Sequence, residues 1–148
     1  MAKSKFNFDK VLSKMEAVKN QLPRLLAKQA ENYFTASFSN QGFNHKAWKE
    51  VKRRIEGTNE YKYPKRRGLS RRTKPILVGT GALRRATSNS TRTLYPKFIR
   101  LVVDLPYAAV HNEGGENTPK RQFMGQTKEL TQKQIKLIEG KIDEVWQV

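Results

Sequence analysis

The stretch FIRLVVDLPYAAV, residues 98–110, is the strongest β-strand pattern in the chain. It is rich in β-branched and aromatic residues, which fit a pleated, half-buried surface. Pro106, near its end, cannot donate a ladder hydrogen bond and therefore limits the strand there. Helical patterns and a basic stretch surround it, and this order of elements predicts an α+β fold. We expect a long N-terminal helix, a small antiparallel sheet, a C-terminal helix and an extended basic arm.

Two long helices are predicted, one before and one after this strand pattern. Residues 7–38 carry apolar positions at helical spacing, and Pro23 is expected to kink this helix or divide it into two pieces. The apolar face of the first piece comprises Phe8, Val11, Leu12, Met15 and Val18. The last helix is expected from Thr127 to Trp146. Its apolar face comprises Thr131, Ile135, Ile138, Ile142 and Val145, widened by Leu130 and Leu137.

The composition is polar and free of cysteine. The 148 residues suffice for one domain with a modest core, yet only 36% are hydrophobic and the mean hydropathy is -0.78. Part of the chain is therefore expected to be extended or to become ordered only against a partner. The missing cysteines exclude disulfides and thiolate metal sites. No signal peptide and no membrane span is predicted, and a cytoplasmic product is expected.

The chain is strongly basic, with 30 Lys and Arg residues against 13 Asp and Glu residues and a net charge of +17. Residues 46–74, here called the basic segment, hold twelve of the basic residues and three glutamates, which gives +9. Such a charge attracts nucleic acid or an acidic protein surface, without sequence specificity. We predict that this segment is an extended arm, poorly packed on its own protomer. Its expected contact residues are Lys62, Lys65, Arg66, Arg67, Arg71, Arg72 and Lys74.

Two tyrosines, Tyr61 and Tyr63, interleave with the charges of the basic segment. Aromatic rings among basic residues are typical of surfaces that stack nucleic-acid bases. A solvated arm that contacts another protein would carry the same residues, so both interpretations stay open.

The stretch ILVGTGALRRAT, residues 76–87, is predicted to turn into a short helix with Thr80 as its N-cap. The turn motif comprises Thr80, Gly81, Leu83 and Arg84. It lacks the G-K-[S/T] ending of a phosphate-binding loop and the third glycine of a dinucleotide fingerprint. Nucleotide binding is therefore not expected.

Catalytic patterns are equally weak. His45 and His111 are too few for a histidine metal site, and no G-x-S-x-G nucleophile motif occurs. Glu113 and Glu116 could act as paired carboxylates, but the glycines between them predict a loop poorly suited to preorganised catalysis. We expect no enzyme activity, no cofactor and no metal.

Residues 107–125, YAAVHNEGGENTPKRQFMG, are predicted to form a structural corner after the main strand. Gly114 and Gly115 permit the positive φ that a turn requires. Arg121 is expected to pair with Glu113 or to donate to carbonyls across the turn. The corner residues are Tyr107, His111, Glu113, Gly114, Gly115, Arg121 and Phe123.

Four motifs in order resemble the phage virion morphogenesis (tail-completion) family of tailed bacteriophages. They are ASFSNQGFNHKAW at 36–48, ILVGTGALRRA at 76–86, LPYAAVHNEGG at 105–115 and RQFMG at 121–125. The second is similar to the family's L-x-x-T-G-x-L-R-x-S, the third to its Y-A-x-x-H-x-x-G-G and the fourth to its R-x-F-L-G. The resemblance covers about residues 20–146, and the basic segment is longer and more charged than the family pattern.

The resemblance implies a structural virion protein of the neck or upper tail that completes the tail and helps join it to the head. Its expected partners are other neck and tail proteins, namely the tail terminator, connector or tail tube, together with copies of itself in a sixfold ring. DNA in the channel is a further candidate for non-specific contact, and no membrane is involved. The alternative is a basic nucleic-acid-binding protein, which should gather its arginines on a folded face with aromatic residues.

Overall fold

The structure is a computed structural model that describes residues 6–63 and 70–147. The helices are α1 Phe8–Asn40, α2 Asn59–Lys62, α3 Ser70–Thr73, α4 Ala82–Ser88, α5 Ala108–Glu113 and α6 Lys128–Trp146, with a 3₁₀ helix at Lys52–Arg54. The strands are β1 Gly42–Phe43, β2 Lys46–Ala47, β3 Thr91–Leu94 and β4 Ile99–Val102. They form two small antiparallel sheets, β1–β2 and β3–β4, and the predicted α+β fold is confirmed.

Helix α1 runs without interruption through Pro23, whereas the sequence predicts a kink or two pieces. Proline removes one backbone hydrogen bond, but Ala27 and Ala30 in the next turns are buried. Tertiary packing therefore supports the helix beyond the proline. The helix ends at Asn40, and Gln41 follows with a left-handed φ of 53°.

The chain divides into two compact units, to which α1 contributes successive parts. The first unit comprises the described residues of Met1–Ala30, Arg92–Leu101 and Gln126–Val148. The second unit comprises those of Glu31–Thr91 and Val102–Gly125.

Within the first unit, α1 and α6 lie antiparallel. Lys14 Nζ donates to the carbonyl of Gln147 at 2.7 Å, and Gln29 Nε2 donates to the carbonyl of Lys133 at 3.2 Å. Thr127 caps α6, because its Oγ1 accepts from the backbone N–H of Leu130 at 3.1 Å. The buried apolar residues of this unit are Val11, Ala27, Ala30, Leu130 and Val145.

The predicted apolar faces of these two helices are only partly buried. Val11 is buried, but Phe8, Leu12 and Met15 beside it are exposed. In α6 the ends of the face, Leu130 and Val145, are buried. Ile135, Ile142 and the neighbouring Trp146 are exposed. Each apolar stripe is wider than the single helix packed against it, so part of each stripe faces solvent.

The second unit holds the main hydrophobic core. Its buried residues are Phe38, Trp48, Ile76, Leu83, Ala108 and Phe123. The Phe38 ring lies between two others, with centroid distances of 5.7 Å to Trp48 and 5.5 Å to Phe123. The Trp48 Nε1–H donates to the carbonyl of Gln122 at 2.6 Å, which satisfies the polar end of the buried indole.

A tight hairpin places Trp48 in this core. Strands β1 and β2 pair Gly42 with Ala47 and Phe43 with Lys46. Asn44 and His45 between them have φ of 49° and 62°, the left-handed pair of a two-residue hairpin turn. A Cβ on Gly42 would lie 2.5 Å from the carbonyl oxygen of Lys46, so this position requires glycine.

The strand predicted over residues 98–110 is much shorter in the structure and is followed by a helix. Strand β4 ends at Val102, and α5 begins at Ala108. Pro106 lies in the turn before α5, where a missing N–H costs little. Ala108 is buried in the core. The sequence of this stretch is compatible with both a helix and a strand, and the packing of Ala108 selects the helix.

The described residues of the basic segment, 46–63 and 70–74, include three short helices, the 3₁₀ helix, α2 and α3. The 3₁₀ helix contacts both α2 and α3. Arg72 donates to the carbonyl of Tyr61 and lies 4.2 Å from the centroid of that ring. Arg53 donates to the carbonyl of Lys74 at 3.1 Å. Backbone acceptors and one aromatic ring therefore hold Arg53 and Arg72, while the 3₁₀ helix and α2 bury none of their residues.

Candidate functional site

The corner residues lie in and next to α5 and in residues 118–125, which run back beside this helix and are here called the returning segment. Gly114, with φ 89°, ends α5, and its N–H donates to the carbonyl of Val110 at 2.9 Å. Gly115 and Thr118 exchange backbone hydrogen bonds of 2.8 and 3.2 Å, so the chain reverses between them. A Cβ on Gly114 would lie 3.2 Å from Lys120 Cβ, which adds crowding to the strain of a positive φ.

Asn112 joins the returning segment to α5 and was not singled out by the sequence pattern. Its Oδ1 accepts from the backbone N–H groups of Phe123 and Met124, both at 3.0 Å. The N–H of Arg121 donates to the carbonyl of His111 at 2.8 Å. The available sequence signal for Asn112 was its position directly after His111. The N–H groups that it accepts from are brought to it only by the fold.

Arg121 donates to a backbone carbonyl, but the acceptor is Lys49 and not a carbonyl across the turn, as the second of its two predicted roles required. It is 8% exposed, and its Nε–H donates to the carbonyl of Lys49 at 3.0 Å. Burial lowers the pKa of Arg121, while the negative charge of Glu50 acts in the opposite direction. Glu113, the other predicted partner, is exposed at the end of α5.

A cavity of about 380 Å³ lies beside this corner, entirely within the second unit, and we call it the cationic cleft. Its polar lining residues are Arg53, Lys74, Thr80, Tyr107, His111 and Arg121. The buried side chains of Ile76 and Leu83 form part of its apolar wall. The cleft brings together residues of the predicted corner, the turn motif and the basic segment.

The cleft carries an excess of positive charge. Arg53, Lys74 and Arg121 contribute three cations, and none of the described lining residues has a carboxylate. A second cleft of about 580 Å³, which shares Arg121, differs in this respect. Its lining mixes the basic residues Lys49 and Lys52 with three glutamates, Glu50, Glu60 and Glu116. The cationic cleft is therefore the better candidate for an anionic group.

His111 lies in the cleft as a half-buried imidazole. Burial lowers its pKa, and the positive charge of Arg121 lowers it further. Its ring lies edge-on to Tyr107, with centroids 6.0 Å apart. Its Nδ1 is buried and finds no hydrogen-bond partner among the described residues. A buried nitrogen without a hydrogen-bond partner costs the fold free energy.

The turn motif differs from its predicted geometry. Gly81, with φ 78°, is the N-cap of α4, whereas the sequence predicts Thr80 in that role. A preceding turn, in which the Gly81 N–H donates to the carbonyl of Val78, sets where the helix begins. Thr80 and Leu83 line the cleft, whereas Arg84 is exposed on α4 and is not among the described lining residues.

The remaining predicted site residues lie elsewhere. Phe123 is fully buried in the core, and Lys62 is exposed on α2. Arg72 is held by Tyr61, and Arg71 lies in α3. Lys65, Arg66 and Arg67 fall outside the residues that the structure describes.

Residues 6–63 and 70–147 contain no group of three or more His, Cys, Asp or Glu side chains that could hold a metal ion. Within the same ranges no helix combines the length and apolar character needed to cross a membrane. Comparisons with protein-family models, with curated proteins and with solved structures found no match.

Proposed function

We propose that this chain is a structural virion protein of the neck or upper tail of a tailed bacteriophage, which completes the tail and helps join it to the head. The observation that carries the proposal is which segments of the chain supply the residues of the hydrophobic core. All six buried residues of the core cluster lie in the four motifs that resemble the tail-completion family. Motifs that meet in the packed core favour a structural role for these residues over a catalytic one.

Each motif contributes to that cluster. ASFSNQGFNHKAW supplies Phe38 and Trp48, and ILVGTGALRRA supplies Ile76 and Leu83. LPYAAVHNEGG supplies Ala108, and RQFMG supplies Phe123. Four separate segments that meet in one core are more specific evidence than any one of them alone.

The first unit supports assembly into an oligomer, for which we propose the sixfold ring. Phe8, Leu12 and Met15 follow helical spacing on α1 and are exposed. Ile135, Ile142 and Trp146 do the same on α6. Exposed apolar stripes of this kind mark surfaces that associate with another chain. The partners proposed for the assembled form are the tail terminator, connector or tail tube.

The test is imaging of assembled particles that carry a labelled copy of this chain. The protein, tagged at one terminus, is produced together with the head and tail proteins encoded beside it, and purified particles are viewed by negative-stain microscopy. We expect label at the head–tail junction, and particles that lack the protein to show unjoined heads and tails. The proposal would be refuted if heads and tails joined without the protein and if the joined particles carried no label.

The alternative function, a basic nucleic-acid-binding protein, has one observation in its favour. The ring of Tyr63 is 76% exposed within the basic segment and is free to stack on a base. Tyr61, however, already has the guanidinium of Arg72 over its ring, 4.2 Å from the centroid. Sequence-independent DNA affinity that falls steeply with salt, in a protein absent from particles, would favour this alternative.

A further inference from the structure

We propose that the cationic cleft binds a segment of a partner protein in which an Asp or Glu carboxylate lies beside an apolar side chain. The inference concerns a different site from the basic segment and the exposed helix faces. It does not require the virion role, because the purified chain alone can be tested for it.

The charge of the cleft calls for an anion. Arg53, Lys74 and Arg121 line one cavity of about 380 Å³ without a carboxylate among the described lining residues, and Glu50, whose charge acts on Arg121, lies outside that lining. Like charges around a partly desolvated cavity repel one another, and an entering anion offsets that repulsion. Arg121 is buried and held in place through the carbonyl of Lys49, so its charge is fixed in the wall of the cleft.

The apolar wall narrows the choice of anion to a protein segment. Ile76 and Leu83 are buried side chains that reach the cleft, and Val78 and Ala82 add to its apolar lining. A volume of about 380 Å³ accommodates a few side chains and lies near the low end of ligand-binding cavities. A nucleic-acid strand presents phosphates on its outside and would leave this wall unused, whereas an acidic residue flanked by an apolar one uses both.

His111 lines the same cleft. Its Nδ1 is buried, so this atom is not offered to a ligand in the cleft. The charge and the apolar wall therefore define the ligand, and a peptide segment with an acidic residue beside an apolar one matches both.

The experiment uses the purified full chain, labelled with ¹⁵N, and two capped peptides, Gly-Leu-Glu-Leu-Gly and Gly-Leu-Gln-Leu-Gly. We expect the Glu peptide to shift the amide signals of Val78, Thr80 and His111 saturably. The Gln peptide should bind about tenfold more weakly, because it loses the charge-assisted hydrogen bonds. The variant Lys74→Gln should weaken binding of the Glu peptide to a similar extent.

Lys97→Gln is the matched control, since it removes the same charge from an exposed position outside the basic segment that is not among the described lining residues. It should leave the peptide affinity within about twofold of the parent value. Equal binding of the two peptides, or equal losses in the two variants, would overturn the proposal. So would the absence of shifts at the cleft amides, or tighter binding of a short single-stranded DNA that shifts the same amides.

Discussion

His111 and Arg121 are linked twice, once through the backbone and once through charge. The N–H of Arg121 donates to the carbonyl of His111 at 2.8 Å, which closes the corner. Burial, and in addition the positive charge of Arg121, lowers the pKa of the His111 imidazole. The folded corner therefore favours neutral His111, and protonation of this residue opposes folding.

This link predicts that acid destabilises the protein through His111. Because the folded pKa lies below the ordinary value of 6.5, the unfolded chain binds a proton that the folded chain resists. The free energy of unfolding should fall as the pH drops from 6.5 towards the folded pKa. His111→Gln should reduce that slope in urea titrations across this range. An unchanged slope in His111→Gln would contradict the prediction.

Asn112→Ala should destabilise the second unit. The change leaves the backbone N–H groups of Phe123 and Met124 without their acceptor. We expect a loss of about 1–3 kcal/mol in the free energy of unfolding, measured by urea denaturation. Asn117→Ala, at an exposed position of the same loop, serves as the control and should change stability by less than about 0.5 kcal/mol. Equal effects of the two changes would count against the proposed role of Asn112.

Trp48 and Trp146 should be distinguishable by fluorescence. Trp48 is buried in the core of the second unit, whereas Trp146 is 57% exposed at the end of α6. Trp48→Phe should remove the short-wavelength part of the emission and lower stability by about 1–3 kcal/mol, because the indole contact with Gln122 is lost. Trp146→Phe should remove the long-wavelength part and leave stability nearly unchanged. The reverse assignment would contradict the burial of Trp48.

Ile135→Glu should interfere with assembly and leave the isolated chain folded. Ile135 is exposed on α6, so a charge there costs the monomer little but would be buried in an oligomer. We expect loss of the ring in particle imaging and an unchanged thermal unfolding midpoint. Lys136→Gln is the control, since it makes the same change in net charge at an exposed neighbour. Rings that form normally with Ile135→Glu would exclude this stripe as the interface.

Replacing Arg66, Arg67, Arg71 and Arg72 with Ser should separate the two proposed counterparts of the basic segment. Contact with an acidic protein, which we favour, predicts blocked head–tail joining with little change in DNA affinity. Contact with DNA predicts the reverse, with affinity that depends steeply on salt. The control removes four charges from exposed positions of the first unit, Lys10, Lys19, Arg24 and Lys136. Equal effects of the two variants on both readouts would exclude a specific role for the segment.

The helix predicted at the C-terminus is present in the structure, whereas the strand predicted over residues 98–110 ends at Val102 and is followed by a helix. The periodicity of α6 extends over 19 residues, and the structure places this helix at Lys128–Trp146. The stretch 98–110 carries no such long period, and its second half becomes α5 because Ala108 is buried in the core. Short apolar stretches fit helix and strand alike, so tertiary contacts decide between them.

Local sequence was sufficient to predict the α+β class, the two long helices and the need for glycine at the corner. These features depend on local periodicity and on backbone angles that few residues adopt. Tertiary structure alone decided the cationic cleft, because Arg53, Lys74 and Arg121 are far apart in the chain and meet only when the core closes. It also decided that Asn112 holds the returning segment and that the described basic segment folds locally, since both depend on acceptors and donors distant in sequence.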